Sequence, residues 1–249
     1  ASDVAGGAVS YSLSGTDAGS FSINSSTGVV TINAVPDFAS KSSYSFDVVA
    51  SDGVLASTKS VTVSVSNVAP GFNSGTIGSV TEGAASGTAV YTAAASDVSS
   101  GTVSYSLSGT DAGSFTIDEI TGVVTIDAVP DYETKSSYSI DVVASDGTST
   151  STLAVTVSVA DVAPAIISGA AGGVTEGAAA GTTVYTTAAS DVAGGTLSYS
   201  LSGTDAGSFT INSSTGVVTI NAIPDYEAKS SYSIDVVASD GTLTSTQAV

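Results

Sequence analysis

The string YSLSGTDAGSF begins at Tyr11, again at Tyr105 and again at Tyr199, a spacing of 94 residues each time with no insertion. TEGAASGTAVYT at Thr81 and TEGAAAGTTVYT at Thr175 keep the same register, as do SVSNVAPGF at Ser64 and SVADVAPAI at Ser158. A period this long is a whole domain, because solenoid units run to only about 20–45 residues. Cutting at the Ala-Pro dipeptides divides the chain into 1–70, 71–164 and 165–249. In this register the first repeat lacks its opening strands and the third stops just short of the next Ala-Pro. The chain therefore reads as a window on a longer array, and its first residues show no signal peptide.

Each repeat reads as all-β. In the middle repeat GSVTEG, GTAVYTAAAS, TVSYSLSG, SFTID, GVVTIDAV, SSYSIDVVAS and TSTLAVTVSV are short runs rich in Val, Thr, Ile, Ser and Tyr. Several alternate apolar with polar residues, the period of a half-buried strand. SGTDAGS, DEITG, PDYETKS and ASDGTS are turn clusters between them. About seven short strands per repeat predict a seven-stranded Greek-key β-sandwich, repeated in tandem in a linear array. No long stretch has helical periodicity.

Charge narrows the function. The chain has 23 acidic residues against four lysines and no arginine, a net charge of −19. Phosphate binding needs clustered Lys and Arg, so nucleic acid is excluded as a partner. Anionic lipid is disfavoured for the same reason. No apolar run reaches the roughly 18 residues of a spanning helix, so no membrane insertion is expected in this segment. Without Cys or His, the chain lacks the usual ligands for zinc, copper and haem, and it cannot build a Ser-His-Asp or Cys-His apparatus. Paired carboxylates can hydrolyse glycosides. Here, however, the acids recur at the ends of every repeat, whereas a catalytic site is normally built once, so no enzyme is expected.

Position groups some of these acids. Glu82 follows the first strand of repeat 2, Asp131 and Glu133 occupy the loop before the sixth, and Asp161 lies in the link to repeat 3. Asp97 and Asp146 close strands at the other end, as Asp191 and Asp240 do in repeat 3. Alternating strand direction gathers Glu82, Asp131, Glu133 and Asp161 at one end of repeat 2, facing Asp191 and Asp240. Two carboxylates about 4 Å apart repel by up to roughly 4 kcal/mol at an effective dielectric near 20. A divalent cation relieves this. Calcium takes six to eight oxygens in flexible geometry, whereas magnesium demands a stricter octahedron, so calcium is the better fit. The alternative is that these are solvated turn acids, since Asp in SDG and PDY turns needs no metal. Asp17, Asp111 and Asp205 in SGTDAGS are left under that alternative. So are Asp47, Asp141 and Asp235, expected as strand residues pointing to solvent.

The passage YSLSG…SFTIDEITGVVTI…VPDYETKSSYSIDVVASDG resembles the cadherin repeat, in the divergent form of large bacterial surface proteins. The resemblance covers the whole chain. It rests on combined spacing: Tyr-x-Leu, Phe-x-Ile-Asp, Thr-Gly, Asp-x-Glu, a Tyr-led strand closing on Ala-x-Asp, and a linker ending in Pro. It implies calcium at the joints between repeats. Glu82 and Glu176 match the family's first calcium glutamate. Asp131 with Glu133, and Asp225 with Glu227, match its Asp-x-Glu pair. Asp146 and Asp240 match its Ala-x-Asp ligand, Asp97 and Asp191 the first acid of its Asp-x-Asp, and Asp161 its central linker acid. The sequence departs at Ser99 and Ala193, which replace the second acid of Asp-x-Asp. It departs also at Ser158, Ala160 and Val162 in the linker. Fewer than the family's three ions are therefore expected at the joint of repeats 2 and 3. The joint of repeats 1 and 2, with Asp37, Ala39, Asn67, Asp97 and Asp146, is expected to bind calcium more weakly and to bend more. Asp3, Asp52, Glu176, Asp225 and Glu227 are expected as half-sites for further repeats.

The resulting expectation is a calcium-stiffened adhesive stalk at a bacterial cell surface, with roles in cell adhesion, homophilic self-association or biofilm. Its partners would be neighbouring repeats, identical chains or surface polysaccharide. One alternative is a subunit of an extracellular filament or sheath, since Ser/Thr/Val strands with few edge charges can pair between chains. Another is a carbohydrate-binding module, which the absence of Trp argues against.

Overall fold

The computed structural model of the 249-residue chain describes residues 8–98 and 101–249. Asp3 and Ser99 therefore lie outside the described residues. The chain falls into two compact units: one formed by Ala1–Asn73, Ala94–Ser104 and Ala144–Ser151, the other by Ser74–Ala93, Tyr105–Val143 and Thr152–Val249.

In the first unit Ser10–Ser14, Ser43–Ser51 and Ala56–Ser64 form an antiparallel sheet in that order, with Ser10 opposite Ser51 and Ser43 opposite Ser64. Phe21–Ile23 pairs with Val30–Ile32, and Gly71–Phe72 with Ala95–Ser96. Phe21 and Phe46 are buried, with ring centroids 4.5 Å apart, and Tyr44 meets Phe21 edge-on at 5.4 Å. Such aromatic pairs add stabilisation beyond the area they bury.

The second unit holds most of a four-stranded sheet ordered Ser104–Ser108, Ser137–Ser145, Thr150–Ala160, Ile77–Thr81. Its last pair is parallel, with Thr156 opposite Ile77 and Ala160 opposite Thr81. A three-stranded sheet of Phe115–Ile117, Val123–Ile126 and Ala89–Thr92 completes the sandwich. The strand alternation decides which residues face inward. Val155, Val157 and Val159 are buried between exposed Thr156 and Ser158, as expected for side chains that alternate across a sheet. With Val124, Ile126, Ile140 and Val142 they form the core.

The same unit contains a second sandwich, made of Ser198–Ser202, Asp235–Ser239 and Thr244–Ala248 with Thr183–Thr186, Val217–Ile220 and Phe209–Ile211. Its core is Tyr185, Phe209, Val218, Ile220, Ile234 and Val236. The fold is thus all-β, with tandem β-sandwiches. Among the described residues the helices are three-residue 3-10 turns, as at Ala112–Ser114, and no helix is long and apolar enough to cross a membrane.

Two local expectations change. The run GTAVYTAAAS splits into Ala89–Thr92 and Ala95–Ser96. At the split, the Ala93 N–H donates to the Gly122 carbonyl at 2.9 Å, and Ala95–Ser96 turns away to pair with Gly71–Phe72. Gly122 has φ +70°, and a Cβ there would stand 2.5 Å from the Ala93 carbonyl oxygen, so this close approach requires glycine. Asp47, Asp141 and Asp235 do not simply face solvent. All three are half-buried, and the Asp47 carboxylate accepts from the Ser60 hydroxyl across the sheet.

Candidate metal centre

The second unit builds its acidic site outward from the parallel strand pair. Beyond Ala160 and Thr81 the ladder continues for one more bond, from the Glu82 N–H to the Ala160 carbonyl at 3.0 Å. The next N–H, that of Gly83, donates to the Pro130 carbonyl at 2.9 Å and draws in the PDYE loop. Glu82 is thereby held with only 3% of its surface exposed. Its Oε2 accepts from the Tyr132 N–H at 3.1 Å and its Oε1 from the Val162 N–H at 2.7 Å. One buried carboxylate therefore ties together the strand end, the PDYE loop and the linker. Charge-assisted bonds of this kind are about twice as strong as neutral ones.

Glu133 and Asp161 join it. One carboxylate oxygen from each of Glu82, Glu133 and Asp161 lies within 4.8 Å of the others. Burial raises the Glu133 carboxyl above its ordinary value, and the charges of Glu82, Asp161 and Asp240 push the same way. Asp161 is raised too, first by burial and then by Asp240 and Glu82. Asp240 of repeat 3 thus belongs to the same electrostatic neighbourhood. Asp191 is placed close by through its neighbour: a Cβ on Gly83, which has φ +72°, would stand 3.0 Å from the Val192 side chain.

Four of the carboxylate oxygens at this joint lack hydrogen-bond partners. Both carboxylate oxygens of Asp161 are buried without a hydrogen bond, as are Oδ2 of Asp191 and Oδ2 of Asp240. The other oxygens of the repeat 3 acids are engaged. Asp191 Oδ1 accepts from the Ala193 N–H at 3.1 Å, and Asp240 Oδ1 from the N–H groups of Thr242 and Leu243 at 2.7 Å. Buried polar atoms are nearly always hydrogen-bonded, and a buried unpaired charge is costly. An oxygen-only set of converging carboxylates suits a hard cation, calcium above all. The residues fit such an ion.

Asp131 does not join this group. Its carboxylate caps its own turn, accepting from the Thr134 N–H at 3.0 Å and the Thr134 hydroxyl at 2.8 Å. These bonds, the backbone one first, hold it below its ordinary value. Asp37 does the same in repeat 1, where the Ser40 hydroxyl donates at 2.7 Å and is the chief cause of its lowered value. In repeat 3, by contrast, Glu176, Asp225 and Glu227 form a second group within 4.8 Å, and all three are exposed.

In the first unit the described residues form no such trio. Asp97 is half-buried after Ala95–Ser96. Asp146 Oδ1 accepts from the N–H groups of Thr148 and Ser149 at 2.7 Å, the turn seen again at Asp240. Its Oδ2 accepts from Asn67 Nδ2 at 2.8 Å. The Ser149 N–H is the leading cause of the lowered Asp146 value, and Asn67 contributes.

Sequence reasoning missed one charged arrangement. Asp17, Asp111 and Asp205 are not solvated turn acids. Each meets a lysine from the Pro-Asp loop region: Lys41 on Asp17 and Lys135 on Asp111 at 2.5 Å, and Lys229 on Asp205. Each lysine also stands over a tyrosine ring, at 5.2 Å for Tyr44, 4.9 Å for Tyr138 and 5.0 Å for Tyr232. The available signal was the lysine count. Three of the four lysines recur in register in KSSYS.

The chain is 30% identical over 250 residues to human Protocadherin Fat 4 and 33% identical to the mouse protein, covering 94% of this chain and 5% of each relative. The chain thus spans a small part of the relatives it matches. Among solved structures, mouse Cadherin-23 EC22-24 is 26% identical, with 97% of this chain and 84% of that chain covered and a TM-score of 0.43. The family described as Cadherin domain matches residues 76–160 and 171–249. The chain therefore belongs to the cadherin domain family and carries two of its repeats in tandem.

Proposed function

We propose that this chain is a segment of an extracellular adhesive stalk in which calcium, held where repeats 2 and 3 join, stiffens the link. The observation that carries this reading is the set of buried, unpartnered carboxylate oxygens on Asp161, Asp191 and Asp240 beside Glu82 and Glu133. Glu82 would anchor the site, because both of its oxygens are already oriented by backbone N–H groups. Glu133 and Asp161 would close it from the loop and the linker, and Asp191 and Asp240 would bring repeat 3 into the same ligand set. A calcium ion bound there would supply the positive charge that offsets their mutual repulsion. Asp97, Asp146, Asp37 and Asn67 stand in the proposal as the weaker set, and Glu176, Asp225 and Glu227 as an open half of the same arrangement, with Asp131 as a turn-former beside it.

Extracellular modules bind calcium at about 10⁻⁴–10⁻³ M. The link would then be loose in calcium-poor surroundings and firm outside the cell. The proposal includes three modules with boundaries at 70/71 and 164/165. It also includes adhesion through neighbouring or identical chains at a bacterial surface, a setting that a cysteine-free chain suits because folding needs no oxidant.

Equilibrium dialysis at millimolar calcium, with the bound ion counted, tests the site. Wild type is expected to hold one or two ions at this joint, and Glu133→Ala fewer. Small-angle scattering before and after chelation tests the stiffening. No calcium uptake, or a particle length indifferent to chelation, overturns the proposal.

A further inference from the structure

The joint between repeats 1 and 2 carries three replacements, each 94 residues before a residue of the acidic joint. Ala39 stands where Glu133 does, Asn67 where Asp161 does, and Ser149 where Leu243 does. The three act together. Asn67 Nδ2 donates to Asp146 Oδ2 at 2.8 Å and to Ser149 Oγ at 3.0 Å, so both amide protons are used. A carboxylate can only accept, which fixes the nitrogen, not the oxygen, toward Asp146. Asp146 is then satisfied on both oxygens, since Oδ1 already takes the Thr148 and Ser149 N–H groups. The Ser151 hydroxyl adds a bond to the carbonyl of buried Pro70 at 2.6 Å, tying the linker down a second time. At the counterpart in the other joint, Asp240 Oδ2 and both oxygens of Asp161 are buried without partners. Leu243 offers no hydroxyl, and Glu133 adds a further charge.

We infer that the joint between repeats 1 and 2 closes whether or not its weaker acidic set holds an ion, through Asn67 acting as a hydrogen-bonded latch between the linker and the Asp146 turn. Replacing one carboxylate by an amide turns a repulsion that needs a cation into a hydrogen bond that does not. Ala39 in place of Glu133's counterpart takes one further charge out of this joint, leaving Asp37, Asp97 and Asp146. Weaker calcium binding at this joint therefore does not entail greater bending. Of the two joints in this chain, one would then respond to calcium and the other would be set by hydrogen bonds. The latch stands on its own geometry. Only the contrast between the joints rests on the proposed calcium site.

The cysteine-free chain allows paired spin labels at engineered cysteines. One pair, Lys59→Cys with Ala154→Cys, spans the first joint. Another, Ala154→Cys with Ser200→Cys, spans the second. Distance distributions are recorded in EGTA and in millimolar calcium. Across the first joint the wild-type distribution is expected to be a single narrow peak in both conditions. Asn67→Ala loses that narrow peak in both, and Asn67→Asp, which restores facing carboxylates, loses it in EGTA. Ser149→Leu, milder and safe for folding, broadens it partially. A first-joint distribution that broadens on chelation in the wild type overturns the latch. So does an Asn67→Ala or Ser149→Leu distribution as narrow as wild type in a chain whose circular dichroism is unchanged. The second pair reads the calcium proposal separately. If it ignores calcium while the first pair behaves as described, the calcium site fails and the latch stands.

Discussion

Glu82 and Glu176 occupy the same position in two repeats, 94 residues apart in TEGA turns of the same build. Each is followed by a glycine whose N–H donates to a proline carbonyl, Pro130 at 2.9 Å or Pro224 at 3.0 Å. Yet Glu82 is 3% exposed, and Glu176 is open to solvent. The turn is the same, and the company differs. Glu82 has the Val162 N–H, Asp161 and the charge of Asp240 around it. Beside Glu176 stand Asp225 and Glu227 of its own repeat, and the positions that match Asp161 and Val162 fall beyond residue 249. The repeat thus supplies a glutamate on a well-defined turn, and in the proposed reading the linker with the following repeat would make it a site. On the proposed reading, the metal chemistry would belong to the joint rather than to the domain.

The largest effect should separate the two glutamates. Glu82→Ala strands the part-buried N–H groups of Tyr132 and Val162, and an unsatisfied buried group costs about 1–3 kcal/mol, so these two fall toward the lower end. For a domain pair of this size, a loss of 1 kcal/mol shifts the midpoint by roughly 2–4 °C. Thermal unfolding in calcium should therefore show a drop of several degrees for Glu82→Ala. Glu176→Ala, at an exposed position, should stay within about 0.5 kcal/mol of wild type. Equal shifts for the two variants would refute the idea that the joint makes the site.

The glycines give a finer contrast. Gly83 and Gly177 both have positive φ, +72° and +76°, so alanine at either pays a left-handed cost of roughly 1–2 kcal/mol. At Gly177 nothing stands within 4 Å of the new Cβ, whereas at Gly83 the Val192 side chain is 3.0 Å away. Gly83→Ala should therefore also weaken calcium binding, because it pushes the Asp191–Val192 turn off the site. Gly177→Ala should destabilise without changing affinity. Calorimetric titration of both variants checks this.

How much of this the sequence contained depends on the kind of contact. The period, the strands and the meeting of Glu82, Glu133 and Asp161 were legible, because strand ends and the 94-residue register determine which loops share an end. The direction of individual carboxylates was not. Asp131 and Glu133 read as one pair, but Thr134, three residues after Asp131, offers an N–H and a hydroxyl that turn Asp131 away. In the same way Asn67 read as a ligand position, and only the placement of the Asp146 turn shows its nitrogen to be the engaged atom. The Asp111–Lys135–Tyr138 arrangement joins residues from a turn, a later loop and the strand after it, and alternation patterns carry no information on such pairs.

Acidity offers the next contrast, in metal-free protein. Asp161 and Glu133 are raised above their ordinary values of 3.8 and 4.5. A raised carboxyl favours the folded state when protonated. Its contribution is fully present below the unfolded value and is lost as pH rises through the higher folded value. In EGTA, lowering the pH from neutrality toward the region just above these ordinary values should therefore relieve the joint and raise its unfolding midpoint. Asp161→Asn should flatten that rise. An EGTA titration in which Asp161→Asn and wild type run parallel would show that the acids at the joint do not repel as placed.

The smallest expected effect is a control that should not distinguish the repeats. The Lys–Asp–Tyr arrangement lies within each repeat and uses nothing from the joint. Lys135→Met and Lys229→Met should therefore lower the unfolding midpoint slightly and to the same degree, as befits ion pairs that are part-exposed. Asp111 and Asp205 are both held below the ordinary value, chiefly by their lysine hydrogen bonds. Here the sign is opposite to that at the joint: the contribution is present above 3.8 and lost as pH falls through the depressed folded value. Because Asp118 and Asp131 are also held low in the middle sandwich, the lysine pairs are read below pH 3.8 as the loss each lysine variant causes, while the rise above it reports the joint. Unequal lysine variants would mean that the two sandwiches differ inside their repeats, and the contrast between Glu82 and Glu176 would then lose its claim to come from the joint.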